Sequence, residues 1–434
     1  MSASITAALS AANLILTTLQ QPDLCPSSVL TPPDHLRLCG EPIRQLIEAL
    51  ALSAATGDCD GLRQKRCDDL LRVARTKLHA YPFAEVPVCW RRLFTDASIV
   101  KAAIMIFRWE QGEEDVGNVV GVLDMAIIMA GADGPGRRDA VEAMLEAVEA
   151  ERGLWEEKGE GVPVWDTMVD AVEITRPIQR CGKLELEEFQ RHIDSSNTPL
   201  ITTGALSHWP AMSTRPWKSP LYLLSLTHGG RRLVPVEVGR AYTDPGWGQK
   251  IIPFREFLQT YMAEGANEIG YLAQHTLFSQ IPQLRNDIII PDYCYSMVRD
   301  PPENVKATEP LDEPLINAWL GPRGTVSPLH TDPYANMFAQ VVGSKYLRLY
   351  PPEETARVFP RGVEGGGVDM GNTSRVEVEE GGGKELTEEE SEVFKEAKYV
   401  ECVLKEGEML FIPAGWWHYV RSLEVSFSVS FWWN

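Results

Sequence analysis

The stretch Val425–Phe431 alternates without interruption, with Val425, Phe427, Val429 and Phe431 at one parity and Ser426, Ser428 and Ser430 at the other. Side chains two apart on a strand share a face, so this run makes a strand with one apolar face and one small polar face. Wound as a helix, the same residues would scatter their apolar groups around the axis. The C-terminal part of the chain must therefore build sheet. Other short runs rich in Val, Ile, Leu, Tyr, Phe and Trp precede it, at Leu233–Val238, Ile316–Leu320, Tyr346–Tyr350 and Met409–Ile412, separated by Gly, Pro, Asn and Asp. Many short strands of this kind predict a sandwich or barrel.

The first part of the chain follows a different period. Cys67, Leu70, Leu71, Ala74 and Leu78 recur at helical spacing, as do Val141, Met144, Leu145 and Val148. Val119–Ala130 is apolar on nearly all sides and reads as a buried helix ending at the turn Gly131–Pro135. Asp96 is expected to cap a helix containing Ile99, Ala103, Ile104 and Phe107. The character changes near Arg176-Pro177. The expected organisation is α+β: a helical domain over residues 1–175, a linker around 160–185, and a β-rich domain over 185–434. No fixed-period repeat is evident, and stacked helix pairs remain open for the helical part.

Charge and cysteine usage narrow the function classes. The 434 residues carry a net charge of −20, which excludes a basic nucleic-acid footprint as a general property. Residues 364–396 hold eleven Asp/Glu against three Lys/Arg, together with the triplets Gly365–Gly367 and Gly381–Gly383. This composition predicts a solvated, mobile loop or insertion spanning about 361–398, dispensable for chemistry. No apolar run of about 18 residues marks a membrane span. The first twenty-one residues carry no Lys or Arg, so no secretory or mitochondrial leader is expected. Eight cysteines without a C-x-x-C pair predict reduced thiols in an intracellular compartment.

The residues that promise chemistry are few. Ser327-Pro328-Leu329-His330-Thr331-Asp332 places an H-x-D pair at a strand end, where His330 and Asp332 can face one ion. His418, at the end of a later strand, can supply a third ligand. Two histidines and a carboxylate on one face of a metal leave three positions open, the facial triad of non-haem Fe(II) oxygenases. Lys345 heads an expected strand fifteen residues after His330 and could reach back across a hairpin to offer a cation to the far carboxylate of a dicarboxylic acid. Taken singly, each reads as well as a turn histidine, a core histidine or a surface lysine.

Beyond these residues the chain resembles the Jumonji-C family of 2-oxoglutarate oxygenases. The resemblance is carried by Asn317-Ala318-Trp319-Leu320-Gly321-Pro322, Ser327 through Pro333, and Gly343-Ser344-Lys345-Tyr346-Leu347-Arg348-Leu349-Tyr350. The C-terminal Phe411-Ile412-Pro413, Trp417 through Arg421 and Ser426 through Trp433 point to its lysine demethylase eight (Jumonji-domain-containing protein five) branch. Val234 through Gly239, Tyr242-Thr243-Asp244 and Tyr271-Leu272-Ala273-Gln274-His275 extend the likeness over about 185–434, and Val86–Arg92 resembles the branch more loosely.

The resemblance implies a double-stranded β-helix, a cupin-like jelly roll, behind a helical domain. It implies Fe(II) on His330, Asp332 and His418, with 2-oxoglutarate and O2 as co-substrates. Lys345 would grip the far carboxylate of 2-oxoglutarate, aided by Tyr271, Ser327 and Asn336. Glu237, Tyr242, Trp247 and Gln274 become candidates for binding substrate. Trp319, Trp416, Trp417, Trp432 and Trp433 read as core or wall. The implied activity is hydroxylation of an arginyl side chain in a protein or peptide, with histones and ribosomal or chromatin-associated proteins as the partner classes. The alternatives are demethylation of N-methyl-lysine or N-methyl-arginine on histones, and a non-catalytic cupin-like scaffold. No nucleic acid or membrane partner is expected, and residence is intracellular, in the nucleus and/or cytoplasm. The longer acidic 361–398 segment departs from the branch.

Overall fold

The computed structural model describes residues 2–20, 35–82, 85–151, 162, 164–244, 246–303, 305, 308–363 and 369–434. They fall into two compact units, Met1–Lys158 with Thr227–Leu233, and Gly159–Leu226 with Val234–Asn434.

The first unit is helical: α1 (Ala3–Gln20), α2 (Glu41–Thr56), α3 (Gly61–Leu78), α4 (Val88–Glu110), α5 (Val116–Ala130) and α6 (Arg137–Glu151). Local chemistry sets the boundaries. The Asp60 carboxylate accepts from the Arg63 N–H at the start of α3, Asp115 accepts from Gly117 at the start of α5, and Gly131 closes α5 at φ 69°. The periodic residues of α3 and α6 are buried in one core with those of α4 and α5. The segment Thr227–Leu233 belongs here because Arg232 pairs with the buried Asp124 of α5 at 2.8 Å, and the Leu233 N–H donates to the same carboxylate at 2.7 Å.

Asp96 is not a cap. Helix α4 begins eight residues earlier, after Pro87, and carries Asp96 fully buried in its interior. Arg92, one turn back, donates to it at 2.9 Å and Arg137 of α6 at 3.0 Å. Two guanidinium groups satisfy the carboxylate, so the helix passes through a residue that would otherwise favour its start.

The second unit holds thirteen strands: β1 (Gln179–Cys181), β2 (Leu200–Thr202), β3 (Leu233–Val238), β4 (Gly248–Pro253), β5 (Gly270–His275), β6 (Leu315–Gly321), β7 (Val326–His330), β8 (Ala335–Val342), β9 (Lys345–Tyr350), β10 (Val400–Leu404), β11 (Met409–Ile412), β12 (Trp417–Ser422) and β13 (Ser426–Trp433). They form a nine-stranded sheet ordered β1-β2-β11-β8-β13-β6-β5-β3-β4 and a four-stranded sheet ordered β10-β9-β12-β7. This is the expected double-stranded β-helix. The expected linker falls partly outside the described residues. From 164 onward it lies on this unit, where Trp165 bridges Ala263 and Asp170 pairs with Arg323 at 2.8 Å and Arg421 at 2.7 Å.

Strand β13 shows how the alternating pattern is used. Phe427, Val429 and Phe431 enter the large apolar core with Trp433. The serines are also fully buried, on the side from which Trp432 lines a cavity between the sheets. Ser430 accepts from Trp319 Nε1 at 2.9 Å and Ser428 donates to Gln340 at 2.8 Å. Small, satisfied hydroxyls on that side leave room for a pocket where larger apolar residues would fill it.

Two expectations about local structure are corrected. First, β8 and β9 are not a hairpin. Strand β8 pairs with β11 and β13, β9 with β10 and β12, and Gly343-Ser344 carries the chain from one sheet to the other. Gly343 has φ 72°, and a Cβ there would lie 2.2 Å from the Val425 carbonyl oxygen. Second, the acidic segment is not a solvated loop. Residues 364–368 lie outside the described residues, but Val376, Val378, Phe394 and Ala397 are buried against Tyr346, Tyr350, Trp417 and Tyr419. A helix, Glu388–Lys395, starts on a capping box between Thr387 and Glu390. Its acidic residues face out, while apolar residues interspersed among them pack on the barrel.

Candidate active site

Strands β7 and β12 are antiparallel neighbours with His418 opposite His330 in register. Opposed residues project from the same face, and the two imidazole rings lie 4.2 Å apart between centroids. Asp332 follows β7 by two residues, and its carbonyl accepts from the Gly415 N–H at 3.0 Å, in the turn that leads into β12. His418 stands second in β12, near its start rather than its end. Ligand atoms of His330, Asp332 and His418 all lie within 4.8 Å of one another, the one such group of three or more His, Cys, Asp or Glu among the described residues.

The set fits a divalent cation. His330 Nδ1 lies 2.7 Å from the Pro328 carbonyl and His418 Nδ1 3.0 Å from that of Trp416, so each Nδ1–H donates to backbone and each Nε2 keeps its lone pair for the site. Asp332 Oδ2 is buried without a hydrogen-bond partner among the described residues, and His418 Nε2, at 3.6 Å, is too far to supply one. Burial holds the Asp332 carboxyl above the usual carboxylate range and, with His330 alongside, the His418 imidazole well below its ordinary value. A buried carboxylate that finds no hydrogen-bond partner among the described residues, beside two imidazoles, is costly on its own and well matched to a metal.

The cavity beyond these ligands is walled by Phe338, Leu347, Ile412 and Val420 as well as Tyr271, Trp319, Ser327, Asn336 and Trp432. Tyr271 is fully buried and hydrogen-bonded to Ser327. It also accepts a 3.0 Å hydrogen bond from Lys345 Nζ, itself fully buried over the rings of Tyr271 and Phe338. Asn336 Oδ1 and Trp432 Nε1, on register-paired residues of β8 and β13, have no partner among the described residues. A compact cavity with a cation, a phenol, a hydroxyl and an amide, and apolar walls elsewhere, suits a small dicarboxylate.

Burial pulls the Lys345 pKa from 10.5 down to about 7. An anion needs the ammonium form, which is fully present below pH 7 and is lost as pH rises through it. The affinity of a small dicarboxylate for this cavity should therefore be level below pH 7 and weaken by about tenfold per unit above it, as binding takes up one proton. Lys345→Ala should weaken binding by about 1.5–3 kcal/mol and remove that slope. Isothermal titration between pH 6 and 9 reads both, and an unchanged slope in the variant would remove Lys345 from this role.

The substrate candidates divide. Glu237 of β3 is opposite Tyr271 in register and accepts from Trp247 Nε1 at 3.4 Å. Burial raises the Glu237 carboxyl and the Tyr242 phenol. Glu237 and Trp247 meet opposite Tyr271 of the cavity wall, and Tyr242 reaches the strand of the triad through Thr373, which stands opposite His330. Gln274 is exposed, at φ 46°, near the end of β5. Of the tryptophans, Trp417 and Trp433 are core and Trp319 and Trp432 are wall. The sequence reading missed Thr373, whose hydroxyl lies 3.2 Å from that of Tyr242 and which sits within the segment read as a loop.

Residues 186–434 match the cupin-like domain family. The chain is similar to lysine-specific demethylase 8 of Xenopus tropicalis, 43% identical over 273 residues that cover 63% of this chain and 55% of the relative. It is similar to lysine-specific demethylase JMJ30 of Arabidopsis thaliana, 35% identical over 416 residues, with 89% and 88% covered. More distantly, it is 24% identical over 271 residues to the human bifunctional peptidase and (3S)-lysyl hydroxylase JMJD7, with 57% and 80% covered. The match spans little more than half the length of the frog relative. A family match over more than half of the chain, and a plant relative matched nearly end to end, agree with the β-helix and its His-Asp-His group: the chain belongs to the cupin-like domain family, in the Jumonji-C branch of these lysine-specific demethylases.

Proposed function

We propose that this chain is an Fe(II)- and 2-oxoglutarate-dependent oxygenase that hydroxylates an arginyl side chain of a protein or peptide. His330, Asp332 and His418 would hold the iron; Lys345, Tyr271, Ser327 and Asn336 would hold 2-oxoglutarate. With O2, that pair of cofactor and co-substrate supplies oxidative decarboxylation to succinate and CO2 and transfer of one oxygen atom to a substrate C–H bond. The protein's own residues do the placing. Lys345 orients the dianion from its far end, the apolar wall of Phe338, Leu347, Ile412 and Val420 keeps water from it, and backbone carbonyls fix both imidazoles.

The observation that carries the arginyl reading is Glu237, half-buried, opposite Tyr271 of the cavity wall and accepting from Trp247. A guanidinium needs a carboxylate to receive its fork of donors and an aromatic face to stack on, and this cluster offers both. The second reading is removal of an N-methyl group, which the names of the relatives favour; a methylated ammonium would use the two aromatic rings and gain little from Glu237. The same reading puts the protein inside the cell, in nucleus or cytoplasm, with histones or ribosomal or chromatin-associated proteins as substrate classes.

Glu237→Gln separates these. It keeps shape and removes charge, so arginyl-peptide turnover should fall by about tenfold or more while 2-oxoglutarate affinity stays at the parent value. Parent-level turnover in steady-state assays would take Glu237, and with it the arginyl reading, out of consideration.

A further inference from the structure

Strand β7 is the edge of the four-stranded sheet, and it carries His330. An edge strand leaves a row of backbone groups unpaired unless something covers it. The acidic segment does so. Thr331 donates its N–H to the Asn372 carbonyl at 2.9 Å, Ser374 donates to the Leu329 carbonyl at 2.8 Å, and Thr373 stands opposite His330 in an antiparallel bridge. Phe359–Arg361 fixes the other side of this short run: Arg361 donates to the Thr373 carbonyl at 2.8 Å and Arg375 to that of Phe359 at 3.0 Å. The Ser374 hydroxyl donates to the Val358 carbonyl and accepts from the Val376 N–H at 2.9 Å. Thr373 and Ser374 are each 2% exposed, so the run is held as firmly as a core strand.

The consequence is at Tyr242. No regular element carries this residue, and its phenol reaches the run that pairs with β7. The one side-chain hydrogen bond seen for that phenol among the described residues is to Thr373 Oγ1, at 3.2 Å. The bridge to β7 fixes Thr373, and Thr373 fixes the tyrosine.

We propose that Thr373 is a positioning residue for substrate: its hydroxyl sets the orientation of the Tyr242 phenol beside the strand that carries His330, so that the acidic segment supplies one wall of the substrate site. This rests on the reading that Tyr242 faces the arginyl side chain. A segment rich in surface charge then has a specific task at one buried residue, and changes along it that shift Thr373 change substrate selection.

The test uses the full-length protein with Thr373→Val, which keeps the β-branched shape and loses the hydroxyl, Thr373→Ser, which keeps the hydroxyl, and Tyr242→Phe. Protein labelled with 3-fluorotyrosine gives a 19F line for Tyr242, identified by its loss in Tyr242→Phe. That line should shift or split in Thr373→Val and return in Thr373→Ser. Arginyl-peptide KM should rise about threefold to tenfold in Thr373→Val with kcat within about twofold, recover in Thr373→Ser, and show no further rise when Thr373→Val is added to Tyr242→Phe. A Tyr242 line at the parent position in Thr373→Val overturns the proposal, as does a KM effect that adds fully to that of Tyr242→Phe. If the parent protein hydroxylates no arginyl peptide, the substrate reading falls, and the 19F line still decides what Thr373 does.

Discussion

His330→Ala is expected to abolish both metal retention and 2-oxoglutarate turnover. The imidazole is half of the pair that faces Asp332, its Nδ1 is already committed to the Pro328 carbonyl, and no other His, Cys, Asp or Glu among the described residues stands close enough to replace it. Substituting groups that merely orient a ligand costs about 10- to 100-fold in metal affinity, and removal of a ligand from a set of three should exceed that. Metal content after gel filtration and succinate formation in the presence of Fe(II) and 2-oxoglutarate read the two effects separately. Decarboxylation at the parent rate by the variant would contradict the ligand assignment.

Replacing residues 369–398 by a short Gly/Ser linker is expected to unfold the second unit or leave it barely stable. Composition argues for a dispensable loop; packing argues the reverse. Val376, Val378 and Phe394 are all buried against the four-stranded sheet. At about 1.5–3 kcal/mol for each buried side chain, their loss alone takes about 4.5–9 kcal/mol, comparable with the whole stability of a typical domain. The replacement also strips the pairing from β7 at Leu329, His330 and Thr331. Thermal unfolding of the parent and the replaced protein measures the loss. An unchanged transition with 2-oxoglutarate turnover intact would show that the segment contributes nothing to the barrel.

How far this was legible in the sequence differs between the elements. The strands were readable because alternation and β-branched runs report burial directly, and Leu233–Val238 and Met409–Ile412 lie where the pattern puts them. The triad was readable because H-x-D at a strand end is a local geometry and His418 follows a later strand run, although the pairing of β7 with β12 that brings the two together is long-range and carries no local signal. Two features misled. Asp96 looks like a cap because an aspartate before an apolar run commonly is one; Arg137, forty-one residues away, makes the interior position tolerable. The acidic segment looks disordered because its glutamates outnumber everything else, yet four well-spaced apolar residues suffice to dock it. Thr373 carries no sequence signal of its own, since a threonine opposite an edge strand is defined only by the register.

The central claim is tested most directly by mass. Purified protein is incubated with Fe(II), 2-oxoglutarate and O2 together with a library of arginyl and N-methyl-lysyl peptides, and products are read by mass spectrometry alongside succinate. The account predicts the gain of one oxygen on arginyl peptides, in step with succinate, and its loss in His330→Ala. Formaldehyde and loss of a methyl group from N-methyl-lysyl peptides, with no oxygen gained on arginine, would contradict it.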